Sequence, residues 1–142
     1  MTRSHGKFTV ILFLFTKENM SKIAIVEDDH TILEMYKLKF EFAKFKVVTA
    51  SDGEEGLKIL EQEKPDIVLL DLMMPKMNGD ELLVQMRKTD WGKNIPVIVL
   101  TNISYDEAPA ILKQLNVADY VIKASSTPQM VLEKVHNILN KK

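Results

Sequence analysis

Four short apolar runs of this sequence are each followed directly by side chains that can do chemistry. These side chains are Glu27-Asp28-Asp29, Asp71, Thr101 and Lys123. Taken singly, each is typical of a turn former, a helix cap or a solvated side chain. Four such positions together indicate one shared site.

The residue types at these positions suit metal-assisted phosphoryl transfer. Consecutive carboxylates repel one another unless a cation or hydrogen-bond donors compensate them, and Mg²⁺ typically takes one or two carboxylates from a protein. An Asp can carry a phosphoryl group as an acyl phosphate. A Thr hydroxyl can donate to a phosphoryl oxygen, and a Lys can neutralise the added charge. The residues therefore predict a phosphoryl site with a bound cation.

The elements that would position these residues alternate along the chain. Nearly continuous apolar runs are typical of parallel strands that are buried on both faces. The predicted strands are residues 23–26, 47–50, 67–70, 97–100 and 120–122. The predicted helices are residues 31–43, 54–63, 80–88, 105–115 and 127–139. Pro109 falls inside the fourth predicted helix, where it is tolerated only near the first turn.

Strict alternation of strands and helices predicts an α/β fold: a three-layer, doubly wound, five-stranded parallel sheet. Strand–helix–strand crossovers are right-handed, so helices cover both faces of the sheet. The periodicity leaves the Rossmann-like and flavodoxin-like strand orders open. Both orders place ligands beyond the carboxyl ends of the strands, which is where the four chemical positions gather.

Composition excludes several classes of protein. The 142 residues suit one domain and leave no room for a second of similar size. With 19 basic and 20 acidic residues, the chain has no positive excess for nucleic acid. Without cysteine it has no disulfide scaffold or zinc-thiolate site. Neither G-x-G-x-x-G nor G-x-x-x-x-G-K-[ST] occurs, which disfavours a flavin- or nucleotide-binding protein of the same architecture.

The first residues of the chain differ in composition from the rest. Residues 8–15 form an unbroken apolar run, FTVILFLF, which is too short to span a bilayer. No small-x-small cleavage site follows it, and Met20 would be a natural start. We expect residues 1–20 to be an extension outside the domain, and residues 21–142 to be the domain. The alternatives are an added strand or self-association element, and a weak membrane or export role.

From Lys22 onward the sequence resembles the response-regulator receiver domains of two-component signalling. The matching stretches are IVEDD (25–29), DIVLLDLMMP (66–75), MNG (77–79), PVIVLT (96–101) and DYVIK (119–123). The resemblance implies the flavodoxin-like strand order 2-1-3-4-5. It also implies a cytoplasmic phosphoprotein that is a signalling domain and not an enzyme, although it assists its own phosphorylation and dephosphorylation.

The resemblance implies roles for the acidic residues. Asp71 would accept a phosphoryl group from a histidine kinase or a histidine phosphotransfer protein. Asp28, Asp71 and the Met73 backbone carbonyl would ligate Mg²⁺, and Glu27 would act on the metal mainly through water. Pro75 and Gly79 would shape the loop after Asp71.

The resemblance also implies a switch. Thr101 would bind a phosphoryl oxygen, Lys123 would pair with the phosphoryl group, and Tyr120 would be the rotating aromatic residue. Phosphorylation adds charge and acceptor oxygens, and it shifts an existing equilibrium between conformations. A downstream protein target would bind the face formed by the fourth helix, the fifth strand and the fifth helix.

The expected output is protein contact, with no nucleic acid and no membrane as partners. No DNA-binding domain follows the last predicted helix, so we expect a stand-alone receiver that is a monomer or a weak phosphorylation-dependent dimer. The alternative is a receiver-fold binding module that works without phosphorylation.

Two residues depart from the usual pattern of the family. Ala124 follows Lys123, where family members usually have a cis proline, and a cis bond without proline would cost about 2.5–4 kcal/mol. Asn102 follows Thr101, where a smaller residue is common. The placement of Lys123 depends on how the chain accommodates these departures.

Apolar side chains occupy the two positions at which the family tunes water access. Met73 lies two residues after Asp71, and Ile103 lies two residues after Thr101. The resemblance therefore implies slow self-dephosphorylation.

Overall fold

The computed structural model describes residues 21–141. The predictions for residues 1–20, including the apolar run 8–15, lie outside the described residues. Five parallel strands form one sheet in the order β2-β1-β3-β4-β5, which confirms the predicted order. The strands are β1 Lys22–Val26, β2 Lys46–Ala50, β3 Ile67–Leu70, β4 Val97–Thr101 and β5 Asp119–Ile122.

Four α-helices connect or follow the strands within residues 21–141. They are α1 His30–Phe42, α2 Gly53–Glu63, α3 Gly79–Arg87 and α4 Pro128–Leu139. Capping side chains explain where three of them begin, because each accepts a hydrogen bond from a first-turn N–H. These caps are Asp29, Asp52 and Thr127. None of the helices in this part of the chain has the length and apolar character needed to cross a membrane.

The predicted fourth helix, residues 105–115, is wrong. The structure has two short 3-10 helices there, Tyr105–Glu107 and Ala110–Gln114. Pro109 separates them, because proline disfavours helical backbone at the preceding residue and donates no N–H. Ala108 is accordingly extended, with φ −70° and ψ 153°.

Two apolar clusters lie on opposite faces of the sheet and account for its three layers. Successive strand residues point to opposite faces, so Ile67 joins one cluster and Val68 the other. Helices α1 and α4 cover the first face, and α2, α3 and the second 3-10 helix cover the second. All four residues of β3 are buried, as expected for a central parallel strand.

Candidate functional site

Strand register brings Glu27 and Asp71 together. Val26 pairs with Leu70 in the parallel β1–β3 ladder, so the next residue of each strand leaves the sheet at the same level. The Asp71 N–H donates to the Val26 carbonyl at 3.0 Å. Both side chains are buried, with Glu27 3% and Asp71 5% exposed. The two carboxylates therefore meet at the carboxyl edge of the sheet, as predicted.

The carboxylates of Glu27, Asp28 and Asp71 form a candidate metal centre. One oxygen from each residue lies within 4.8 Å of the other two. They line a solvent-open cavity of about 500 Å³, and Asp28 is exposed on it. Hard carboxylate oxygens in this number fit Mg²⁺ better than a softer metal. Met73 lines the same cavity, and its backbone carbonyl as a ligand stays a prediction.

Lys123 compensates two of the carboxylates. Its Nζ lies 2.6 Å from Glu27 Oε1 and 3.1 Å from Asp71 Oδ2. Burial disfavours the charged form of Lys123, but its hydrogen bond to Glu27 and the charges of Asp71 and Glu27 outweigh burial and raise its pKa above 10.5. Lys123 is therefore a cation at neutral pH, in contact with the predicted phosphoacceptor.

Glu27 is the carboxylate whose ionisation burial opposes. Burial raises the pKa of Glu27 from its usual value of 4.5 to about 7, and the charge of Asp71 adds to this rise. Hydrogen bonds from Lys123 and from the Asp29 N–H lower the same pKa. Burial and the charge of Asp71 thus oppose ionisation of Glu27, and the contact with Lys123 favours it.

Thr101 is the last residue of β4, and Tyr120 is the second residue of the neighbouring strand β5. Thr101 is buried, and its Oγ1 accepts a long hydrogen bond of 3.4 Å from the Ile103 N–H. The half-buried Tyr120 donates its hydroxyl hydrogen to the Ile103 carbonyl at 2.6 Å. Both residues therefore act on the segment that follows β4. Their switching roles stay predictions.

The loop after Asp71 requires glycine at position 79. The Gly79 N–H donates to the Leu72 carbonyl at 2.8 Å, and this contact folds the loop back on β3. A Cβ atom at Gly79 would lie 2.0 Å from the Asp71 carbonyl oxygen, closer than any side chain tolerates. The close approach holds the backbone of Asp71 in place beside the cavity.

The structure adds two features that the sequence did not predict. Asn102 Oδ1 accepts a hydrogen bond from the Ala124 N–H at 3.0 Å, and the peptide between Lys123 and Ala124 is not cis. Glu107 also lines the cavity. The signal for the first feature was the pair of departures at 102 and 124. The position of Glu107 at the cavity was not predicted, because Glu107 lies in the segment 105–115, which was incorrectly predicted to be one helix.

Comparison with known proteins gives a family match and curated relatives. A family model described as the response regulator receiver domain matches residues 23–135. The chain is 38% identical to a probable transcriptional regulator ycf27 of Guillardia theta, covering 80% of this chain and 43% of that protein. It is 36% identical to the alkaline phosphatase synthesis transcriptional regulatory protein PhoP of Bacillus subtilis, covering 84% and 49%. The chain thus spans about half the length of these relatives.

Solved structures agree with this match. A CheY-like response regulator receiver domain protein of Methanospirillum hungatei superposes with a TM-score of 0.77 at 30% identity, covering 85% of this chain and 94% of that one. The chemotaxis response regulator CheY4 of Vibrio cholerae has the same TM-score at 26% identity, covering 84% and 98%. On the family match, the relatives and the fold together, the chain belongs to the response regulator receiver domain family.

Proposed function

We propose that Asp71 accepts a phosphoryl group in a Mg²⁺-dependent reaction and that the chain relays this modification as a two-component signal. Phosphorylation signalling is the general function of the family. The observation that carries the proposal is the contact between Lys123 Nζ and Asp71 Oδ2, beside two further carboxylates. A cation and a candidate metal centre meet at one buried nucleophile.

The reaction forms one bond and breaks another. An Asp71 carboxylate oxygen attacks the phosphorus of the donor, and the bond from phosphorus to the donor nitrogen or oxygen breaks. The donor group leaves with the electron pair of that bond. The Lys123 ammonium places positive charge beside the oxygens of the transferred phosphoryl group, and the Thr101 hydroxyl can donate a hydrogen bond to one of them. Bound Mg²⁺ would supply further positive charge to the phosphoryl oxygens.

The donor and the receiver of the signal follow from the family. A histidine kinase or a histidine phosphotransfer protein would supply the phosphoryl group. A downstream protein would bind the face formed by the two 3-10 helices, β5 and α4, where Tyr120 is half-buried. The curated relatives are about twice as long and are named as transcriptional regulators, so a stand-alone role stays a prediction.

A small phosphodonor tests the proposal without a known kinase. The full chain is incubated with acetyl phosphate and Mg²⁺, and its intact mass is followed over time. We expect a gain of one phosphoryl group, which disappears with chelator and in Asp71→Asn. Asp90→Asn is the matched control, because Asp90 is fully exposed in the loop after α3 and should leave the gain unchanged.

The alternative function, a binding module that works without phosphorylation, predicts no mass gain with any donor. A gain that persists in Asp71→Asn would place the phosphoryl group on another residue. Either result would contradict the proposed role of Asp71.

A further inference from the structure

The end of β5 is fastened to the end of β4 by a side chain. The ladder between these strands ends at the pair Thr101 and Ile122. Beyond this pair, Asn102 Oδ1 accepts the Ala124 N–H at 3.0 Å. The side chain of Asn102 therefore links the two strands beyond the last pair of the backbone ladder.

Lys123 lies between two residues whose backbones are both held by contacts with the end of β4. Ile122 on one side is held in the ladder, and Ala124 on the other side is held by Asn102. The bonds within the following 3-10 turn are longer, at 3.3 Å from the Ser126 N–H to the Lys123 carbonyl and 3.4 Å from Ser125 Oγ to the Ile122 carbonyl. The Asn102 contact is the shortest of these three bonds around Lys123.

The backbone of Lys123 must be held because its side chain reaches far. β4 lies between β5 and β3, so the ammonium crosses the end of one strand to reach Asp71. A small rotation of the Lys123 backbone would therefore move its Nζ away from Asp71. Asn102 itself is exposed, so its position is not explained by core packing.

We propose that Asn102 is a positioning residue, which holds the Lys123 ammonium against Asp71 through the Ala124 N–H. The inference rests on the proposed phosphoacceptor function. It also links the two strand ends, because Asn102 directly follows Thr101 and moves with it. A displacement of Thr101 toward a bound phosphoryl group would thus be passed to Lys123.

The rate of phosphorylation by acetyl phosphate at saturating Mg²⁺ tests the proposal in a double-mutant cycle. We expect Asn102→Ala to slow the reaction about three- to tenfold, the rate equivalent of one ordinary hydrogen bond. In a Lys123→Ala background the same substitution should change the rate less than about twofold, since the group it positions is gone. Asn94→Ala is the matched control, because Asn94 is exposed in the loop before β4.

A wild-type rate in Asn102→Ala would overturn the proposal. An equal loss with and without Lys123 would also overturn it, because Asn102 would then act directly. Asn102→Ala should still unfold cooperatively in urea and be fully folded without urea, as Asn94→Ala is, so that a slower rate reflects positioning and not loss of fold.

A second measurement keeps the proposal testable if Lys123→Ala reacts too slowly or the wild-type chain accepts no phosphoryl group. The Lys123 ammonium and the Ala124 amide are followed by ¹H–¹⁵N NMR before any donor is added. Asn102→Ala should accelerate hydrogen exchange at both groups, and unchanged exchange at Lys123 would overturn the proposal. Failure of wild-type phosphorylation alone would contradict the proposed function and not this contact.

Discussion

The Lys123 ammonium lies 3.1 Å from Asp71 Oδ2, although 52 positions of the chain separate the two residues. They stand on strands that are not neighbours, with β4 between them. Strand spacing is about 4.8 Å, so two spacings separate the backbones, and the Lys side chain, the Asp side chain and the contact between them together cover that separation. Charge added at Asp71 therefore acts directly on the end of β5.

The acidic cluster predicts that Mg²⁺ stabilises the protein. At ten times its dissociation constant, Mg²⁺ should add about 1.4 kcal/mol to the free energy of unfolding and raise Tm by about 3–6 °C relative to chelator. Asp28→Asn should reduce this shift, because Asp28 is the exposed carboxylate of the cluster. Lys123→Met should enlarge it, since it removes a competing cation. Differential scanning fluorimetry measures both shifts.

Asp90→Asn provides the control for the Mg²⁺ titration and should behave as the wild type. Equal Mg²⁺ shifts in all four proteins would show that the ion acts elsewhere.

The apolar side chain at position 73 predicts a long-lived phosphoryl group. Met73 is 62% exposed and lines the cavity beside Asp71. In Met73→Asn, an amide could orient an attacking water, and dephosphorylation should accelerate about three- to tenfold, as one hydrogen bond allows. The decay of the phosphorylated mass after removal of the donor measures this rate.

Met130→Asn is the matched control for that experiment, because Met130 is also exposed but lies on α4 away from the cavity. If the phosphoryl group of the wild type has a half-life of seconds, and Met73→Asn leaves this half-life unchanged, then Met73 does not slow dephosphorylation.

Replacement of Arg87 should lower the stability of the fold strongly without changing the phosphorylation site. Its guanidinium donates to four backbone carbonyls at 2.7–3.2 Å, from the loops that precede β4 and β5. Arg87→Met should lower the free energy of unfolding by about 2–4 kcal/mol, because four carbonyls lose a charged donor and three of these hydrogen bonds are partly buried. Urea denaturation measures the loss.

Arg87 lies at the edge of the sheet opposite Asp71, so the rate of phosphorylation should stay within about twofold of wild type where the variant is folded. Lys93 is an exposed basic residue in the same region, and Lys93→Met should lower the free energy of unfolding only slightly. An Arg87→Met variant as stable as Lys93→Met would contradict the bridging role.

Most of the fold is predictable from the sequence, for identifiable reasons. The apolar runs of β3 and β4 are continuous, and each is followed directly by a polar residue, Asp71 or Thr101, so the positions and buried character of these strands follow from the pattern alone. Their order does not follow from periodicity, which allows two strand orders, and came from the family resemblance. Apolar spacing alone favours a helix over residues 105–115, but Pro109 interrupts it and two 3-10 helices form instead.

The sequence predicts which residues lie at the carboxyl ends of the strands, but not which side chains contact one another there. Register places Glu27 beside Asp71, and parallel strands bring Thr101 to the same edge. Which groups Lys123 contacts depends on four side-chain torsions, and the Asn102–Ala124 bond depends on a side chain reaching a backbone N–H. Neither contact has a spacing that marks it in the sequence.

Replacement of Pro109 tests whether proline breaks the helix. Pro109→Ala restores an N–H at position 109 and frees Ala108 to adopt helical backbone. We expect the Cα chemical shifts of residues 106–113 to move toward helical values in the variant. Pro128→Ala is the control, because Pro128 lies in the first turn of α4 and does not interrupt a helix. Unchanged shifts in Pro109→Ala would show that tertiary packing, not proline, breaks the helix.

Borohydride reduction identifies the phosphorylated residue directly. An aspartyl phosphate is an acyl phosphate, and borohydride reduces it to homoserine, which tandem mass spectrometry can place in the sequence. After treatment with acetyl phosphate and Mg²⁺, we expect homoserine at position 71 and none at Asp28 or Asp66. Homoserine at another carboxylate, or none in a protein that has gained phosphoryl mass, would contradict Asp71 as the phosphoacceptor.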